Sequence, residues 1–218
     1  MRKISILLFA LLASATLQAQ IKGTGDIPAH LYYLMPEFTQ GTIYFRGQMP
    51  AQGKLNICAV DNTLRFIDKS GQELVATGAD NIYKVKIDTV FFLRDMGVYY
   101  RLCPIQADMG LAVRRDVRII RDAKEAAYGG TTQTSAVQSY SSLTADGVVY
   151  NLEKDKEYPY TVDEMIYLYK GDSTSPLGKR SLKKLFPDKK AQIDAWFKEN
   201  KEAPETLEGA KELILNLL

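Results

Sequence analysis

A chain of 218 residues with one histidine, two cysteines and one tryptophan is poorly equipped for several common chemistries. His30 has no second imidazole with which to share a zinc or iron ion, so multi-histidine metal sites fall away. It stands in a short stretch bearing Gly25 and Pro28, a poor place for the base of a serine triad, and a nucleophilic cysteine would depend on the same ring. No catalytic, cofactor-binding or metal-binding residue is therefore assigned. An excess of one charge is also missing. The 28 Lys and Arg face 26 Asp and Glu, which argues against nucleic acid or an anionic membrane surface as main partner. With 15 glycines, 8 prolines and 46% hydrophobic residues, the chain is not low-complexity and holds enough apolar side chain for a packed core.

Long hydrophobic runs are confined to the first twenty residues. Arg2 and Lys3 precede an apolar stretch at 4–13, and Ala13-Ser14-Ala15 and Leu17-Gln18-Ala19 offer small-residue cleavage sites before Gln20. That order is the order of a secretory signal. The stretch is too short to cross a bilayer, and no transmembrane span is expected once it is removed. Without Arg2 and Lys3 the basic residues number 26, equal to the acidic ones, so a periplasmic or extracellular, formally neutral protein is expected.

Export changes the meaning of the two thiols. In an oxidising compartment Cys58 and Cys103 are candidates for a disulfide, and a loop of this length would make the link worth about 4 kcal/mol on the chain-entropy model. Strand parity sets each beside polar neighbours, Lys54 and Asn56 for the first, Tyr99 and Arg101 for the second. That places both on the less buried face of a sheet. The alternative is two separate, half-buried thiols that do no chemistry.

Between Gly41 and Arg121 the hydrophobic period is two. Ile43 and Phe45, then Leu55, Ile57 and Ala59, alternate with polar neighbours, and further strand-like runs at 63–67, 73–77, 81–87, 89–94 and 97–103 are separated by short Gly, Asp or Asn breaks. The pattern predicts an antiparallel meander closing as a sandwich or small barrel, with Leu55, Ile57, Leu64, Phe66, Phe91 and Leu93 mostly buried. Four arginines in residues 113–121 invite a phosphate-binding reading. Yet Val113, Val117 and Ile119 share one parity while Arg114, Asp116 and Arg118 share the other, as a strand with one solvated side requires.

The composition then shifts. Residues 129–146 are rich in Thr, Ser, Gln and Gly and cannot offset their own ordering entropy, so 123–146 reads as a long mobile loop within a β-rich domain spanning 41–170. Residues 21–40 read as an extended N-terminal segment. Strand patterns resume at 148–152 and 164–170. In the tail, 171–218, spacing becomes helical: Ser181 can cap a turn, Ile193, Trp196 and Phe197 form one stripe, and Leu207, Leu213, Ile214 and Leu217 form another. A helical hairpin docked on the sheet is expected, with Trp196 the interface candidate if the stripe meets a partner instead. The fold class is α+β, mainly β.

The stretch Ala127-Tyr128-Gly129-Gly130-Thr131-Thr132-Gln133-Thr134-Ser135-Ala136, the strand around Val148, and Leu185-Phe186-Pro187-Asp188-Lys189-Lys190 leading into the Trp196 helix resemble an uncharacterised family of exported proteins from Bacteroidetes-type Gram-negative bacteria. The resemblance runs from about Gly41 onward. It implies export and the two-part layout, and it implies no activity, cofactor or site residues. Asp88-Thr89-Val90 and Asp172-Ser173-Thr174 resemble the three-residue pattern at which such bacteria attach O-linked glycans, making Thr89 and Ser173 candidates for modification.

Two functions of different class follow. The first is a non-enzymatic cell-envelope module that binds an envelope protein or a glycan. The alternative is a carboxylate-dependent glycan-cleaving enzyme drawing on two acids among Glu37, Asp61, Asp68, Asp80, Glu153 and Asp163, a set in which no spacing singles out a pair. Asp68-Lys69-Ser70-Gly71-Gln72-Glu73 lacks the alternating acids of a calcium loop and reads as a polar hairpin turn. N-terminal sequencing of the protein from its native host should begin near Gln20 or Ile21. Recovery of Met1 would overturn the signal.

Overall fold

The structure is a computed structural model, and it describes residues 21–24, 27–119, 143–145, 148–150 and 159–218. The first twenty residues, read as a secretory signal, and most of the expected 123–146 loop lie outside the described residues.

Alternating sequence becomes hairpins. β1 (Ile21–Thr24) and the one-turn α1 (Ala29–Tyr32) lead into β2 (Thr39–Phe45), β3 (Ala51–Cys58), β4 (Thr63–Ile67) and β5 (Glu73–Val75). β6 (Ile82–Ile87), β7 (Val90–Asp95), β8 (Val98–Gln106) and β9 (Met109–Ile119) continue the meander. β10 (Leu143–Ala145), β11 (Val148–Tyr150), β12 (Pro159–Lys170) and β13 (Ser173–Pro176) complete the strands of the described residues. The β7–β8 turn places Met96 at φ 49° and Gly97 at φ 81°. Positive φ at both central residues is what a two-residue hairpin needs to match the strand twist.

All pairings are antiparallel, and the sheet runs β1-β12-β9-β8-β7-β6-β2-β3-β4-β5-β11-β10, with β13 beside β12. Its longest ladder joins β9 and β12 from Tyr160↔Ile119 to Lys170↔Met109. The mainly β, α+β class is thus as the periodicity indicates. Closure into a barrel is not seen. Instead the sheet curls, and residues 27–35 bridge its two limbs: Leu31 packs with Cys58, Ala59 and Val60 from one limb and with Val117, Tyr160 and Val162 from the other. The expected extended segment 21–40 therefore contains a strand and a helical turn, and a short strand, β10, lies within the expected loop.

Register assigns the faces. Ile43, Leu55, Ile57, Leu64, Val85 and Phe92 form the main core on the inner face. On the outer face β7 contributes Phe91 and Leu93. Leu93 is buried there with Tyr100, Ala112 and Tyr169, beneath a β12–β13 hairpin held down by Thr174, whose N–H and hydroxyl both donate to Asp95 Oδ2 at 2.8 Å. Phe91 is only half-buried, and so is Phe66. Both were expected in the core. Phe92, of opposite parity to Phe91, takes the inner position.

Parity also misplaces the thiols. Asn56 and Cys58 are both fully buried, because residues 32–35 lie along the free end of β3, bridging Tyr33 to Cys58 and exchanging hydrogen bonds between the Met35 backbone and the Asn56 amide. Cys103, half-buried, packs against the tail, so the two cysteines belong to different clusters and both are free. The disulfide that export would permit is not formed.

The tail holds three helices rather than two: α2 (Lys179–Leu185), α3 (Lys190–Asn200) and α4 (Leu207–Leu217). Thr206 caps α4 by accepting from the Gly209 N–H at 3.2 Å. Their apolar stripes meet one another and the sheet: Leu182, Ile193, Leu213 and Ile214 pack on Met109, Leu111 and Leu168. Trp196 is half-buried, edge-on to Phe197 with centroids 4.9 Å apart. The tail is a lid on one end of the inner face. Ile193→Ala should therefore cost about 2–5 kcal/mol, and Trp196→Ala less because part of its ring is already wet. Urea unfolding checks both, and an unchanged midpoint for Ile193→Ala would sink the lid.

Candidate functional site

Two features stand out chemically, one buried and one on the surface. The buried one centres on Arg65, the middle residue of β4 and 1% exposed. A guanidinium can enter a protein interior only if its charge is matched and its donors are used. Both conditions are met. Nη2 donates to Asp61 Oδ2 at 2.6 Å, Nη1 to Glu73 Oε1 at 2.8 Å, and Nε to Thr63 Oγ1 at 3.1 Å, while Cζ lies 5.4 Å from the centroid of the Tyr32 ring. The Tyr33 hydroxyl donates to the Glu73 carboxylate at 2.9 Å. On the far side of the segment, Arg115 of β9 donates to the carbonyl oxygens of His30 at 2.9 Å and Tyr33 at 3.3 Å, and it also pairs with Glu164 of β12.

The electrostatics of this cluster disfavour proton transfer and nucleophilic attack. Burial pushes the Cys58 thiol up to about 12, with the Asp61 charge adding to the effect, so it is not a thiolate near neutrality. Burial likewise raises Tyr32 and Tyr33, the latter reinforced by its hydrogen bond to Glu73. Asp61 moves the other way. Burial alone would raise it, but hydrogen bonds from Thr63 and the Arg65 charge outweigh burial and hold it below the usual carboxylate value. A general acid needs the opposite shift. The cluster is a clasp that ties residues 27–35 to both limbs.

The surface feature is the outer face of β3, β2, β6 and β7. Register places Lys54, Tyr44, Lys84, Lys86 and Phe91 on this face. Arg46, just past β2, sets its guanidinium carbon 5.5 Å from the Tyr83 centroid, while Lys84 and Lys86 Nζ lie 5.7 and 5.6 Å from that of Phe91. Tyr44 and Tyr83 are inclined at 54° with centroids 6.4 Å apart. Phe91 and both lysines are half-buried, as ring faces capped by cations should be. Asp172 stands at the margin, 3.5 Å from Arg46.

The other candidates are scattered. Thr89, on the β6–β7 turn, and Ser173, the first residue of β13, are both exposed, each beside the aspartate of its motif. Asp68 closes its turn by accepting from Ser70 and Gln72, the hairpin reading of that loop. Asp80 is fully exposed, near Arg94. Glu37 is exposed, Asp163 lies on the opposite limb, and Glu153 is outside the described residues. Among the described residues, the acids considered for glycan cleavage do not converge. Arg114 is paired with Asp116 at 2.7 Å, so the arginine run is partly neutralised in place. The sequence reading missed Arg65 and Glu73. Arg65 has a weak signal, a cation between Leu64 and Phe66, but Tyr32, whose ring it faces, and Tyr33, which donates to Glu73, are too remote in sequence to be found.

No family model, no curated protein and no solved structure matches the chain.

The clasp generates a pH prediction. A carboxyl whose folded pKa lies below its unfolded value contributes stability above the unfolded value, and that contribution is lost as pH falls through the folded one. Asp61 should therefore stabilise the fold fully at neutral pH and progressively less below its ordinary value of 3.8. Urea midpoints measured from pH 7 to pH 2 should fall more steeply over the acid range for the parent than for Asp61→Asn. At pH 7, Arg65→Ala should cost about 3–5 kcal/mol, since it strands two carboxylates.

Proposed function

We propose that this chain is a non-enzymatic binding module of the cell envelope, exported through its N-terminal signal, whose outer sheet face is the contact surface for a glycan or an envelope protein. The observation that carries this is the shape and chemistry of that face: three aromatic rings and four cations on neighbouring strands, without a facing pair of acids among the described residues. The buried carboxylates are committed to Arg65, which speaks against the glycan-cleaving alternative. Exposed hydroxyls at Thr89 and Ser173 suit the O-linked modification read from their motifs, and both flank the same face.

The test sets binding beside turnover. Incubated with neutral and acidic polysaccharides, the protein should release no reducing ends above a heat-treated control, and at least one of these polymers should retard it in affinity electrophoresis. Sustained release of reducing ends that is lost in Asp61→Asn would overturn the module in favour of the hydrolase.

A further inference from the structure

We propose that the outer face takes an anionic polysaccharide, a polymer of carboxylated or otherwise acidic sugars, a step that rests on the reading of the chain as a binding module. Lys54, Arg46, Lys84 and Lys86 form a basic stripe across β3, β2 and β6, and the carboxylates that register sets on or beside this face are engaged, Glu73 with Arg65, Asp95 with Thr174 and Asp172 with Arg46, with Asp88 in the β6–β7 turn. This excess is local, since the whole chain is almost balanced. Three of the four cations are also held over aromatic rings at 5.5 to 5.7 Å. A ring that orients a lysine or arginine lowers the entropy lost when an anion arrives, so these groups are arranged for a ligand in advance.

The geometry favours a polysaccharide over other polyanions. A sheet face is broad and shallow, with side chains repeating at about 4.8 Å across strands and about 6.7 Å along them. A chain of acidic sugar rings can lie across such a face, placing carboxylates by the cations and ring C–H groups by Tyr44 and Tyr83. Nucleic acid has a denser charge and draws on a larger cationic excess than this chain possesses. An acidic polypeptide has no ring faces for the inclined tyrosines to meet.

Biolayer interferometry of the signal-free chain on immobilised polygalacturonate tests this, with dextran, poly-glutamate and a single-stranded oligonucleotide as comparison surfaces. Polygalacturonate should bind the protein, dextran should not, and raising salt from about 50 to 300 mM should weaken binding at least tenfold. Lys84→Gln with Lys86→Gln should raise Kd at least tenfold, while Lys198→Gln on the lid leaves it unchanged. An unaltered melting temperature for the double variant shows that the loss is not unfolding. Equal binding to dextran, abolished by Tyr83→Ala, would keep the module and overturn its anionic ligand. Equal or tighter binding of poly-glutamate or the oligonucleotide would overturn the polysaccharide. Binding to none of the four surfaces overturns the proposal, and the reducing-end assay then decides separately whether the module reading falls with it.

Discussion

The curled sheet depends on a nine-residue stretch, 27–35, being held from two sides at once. Tyr33 illustrates the arrangement. Its hydroxyl donates to Glu73 beside β4, its backbone bridges to Cys58 of β3, and its carbonyl accepts from Arg115 of β9. Without it, Cys58 and Val60 on one limb and Val117 and Val162 on the other would be exposed to water, and the sheet would lose the contact that keeps it curled. The Arg65 clasp is therefore structural, and the cost of burying a guanidinium is offset by three side-chain acceptors and a ring face.

This arrangement explains why the interior looks reactive by composition and is not. Two tyrosines, a thiol, two carboxylates and an arginine lie together, a set that could support nucleophilic or acid–base chemistry elsewhere. Burial holds the thiol and phenols protonated, and Asp61 is held ionised by its donors. The same low-dielectric setting that strengthens the clasp also sets these protonation states.

The outer face is the counterpart. There Lys84 and Lys86 lie over the Phe91 ring and Arg46 over Tyr83, with Asp172 beside Arg46 as well. The β12–β13 hairpin divides this face in two. It buries Leu93, Tyr100 and Tyr169 through the Thr174 to Asp95 hydrogen bonds and leaves Tyr44, Tyr83 and Phe91 beside it partly open. The helical lid performs the matching task on the inner face, covering Met109, Leu111 and Leu168.

Local pattern was enough for much of this. A period of two from β2 to β9, a turn residue at Asp88, and helical stripes around Ile193 and Leu213 were legible in the amino-acid order, because hydrophobic alternation and positive-φ turns act within a few residues. The same rules read Leu55, Ile57 and Leu64 as core. They failed at Asn56, Cys58 and Phe91, where burial is decided by which distant segment covers the second face of a strand. They failed too for the clasp, since Tyr33 and Glu73 are 40 residues apart and only folding sets one against the other. The strand and helix content was written in the sequence, whereas the open curl, the free thiols and the pairing of cations with rings on one face came from tertiary packing, because each depends on contacts between residues that local periodicity does not relate.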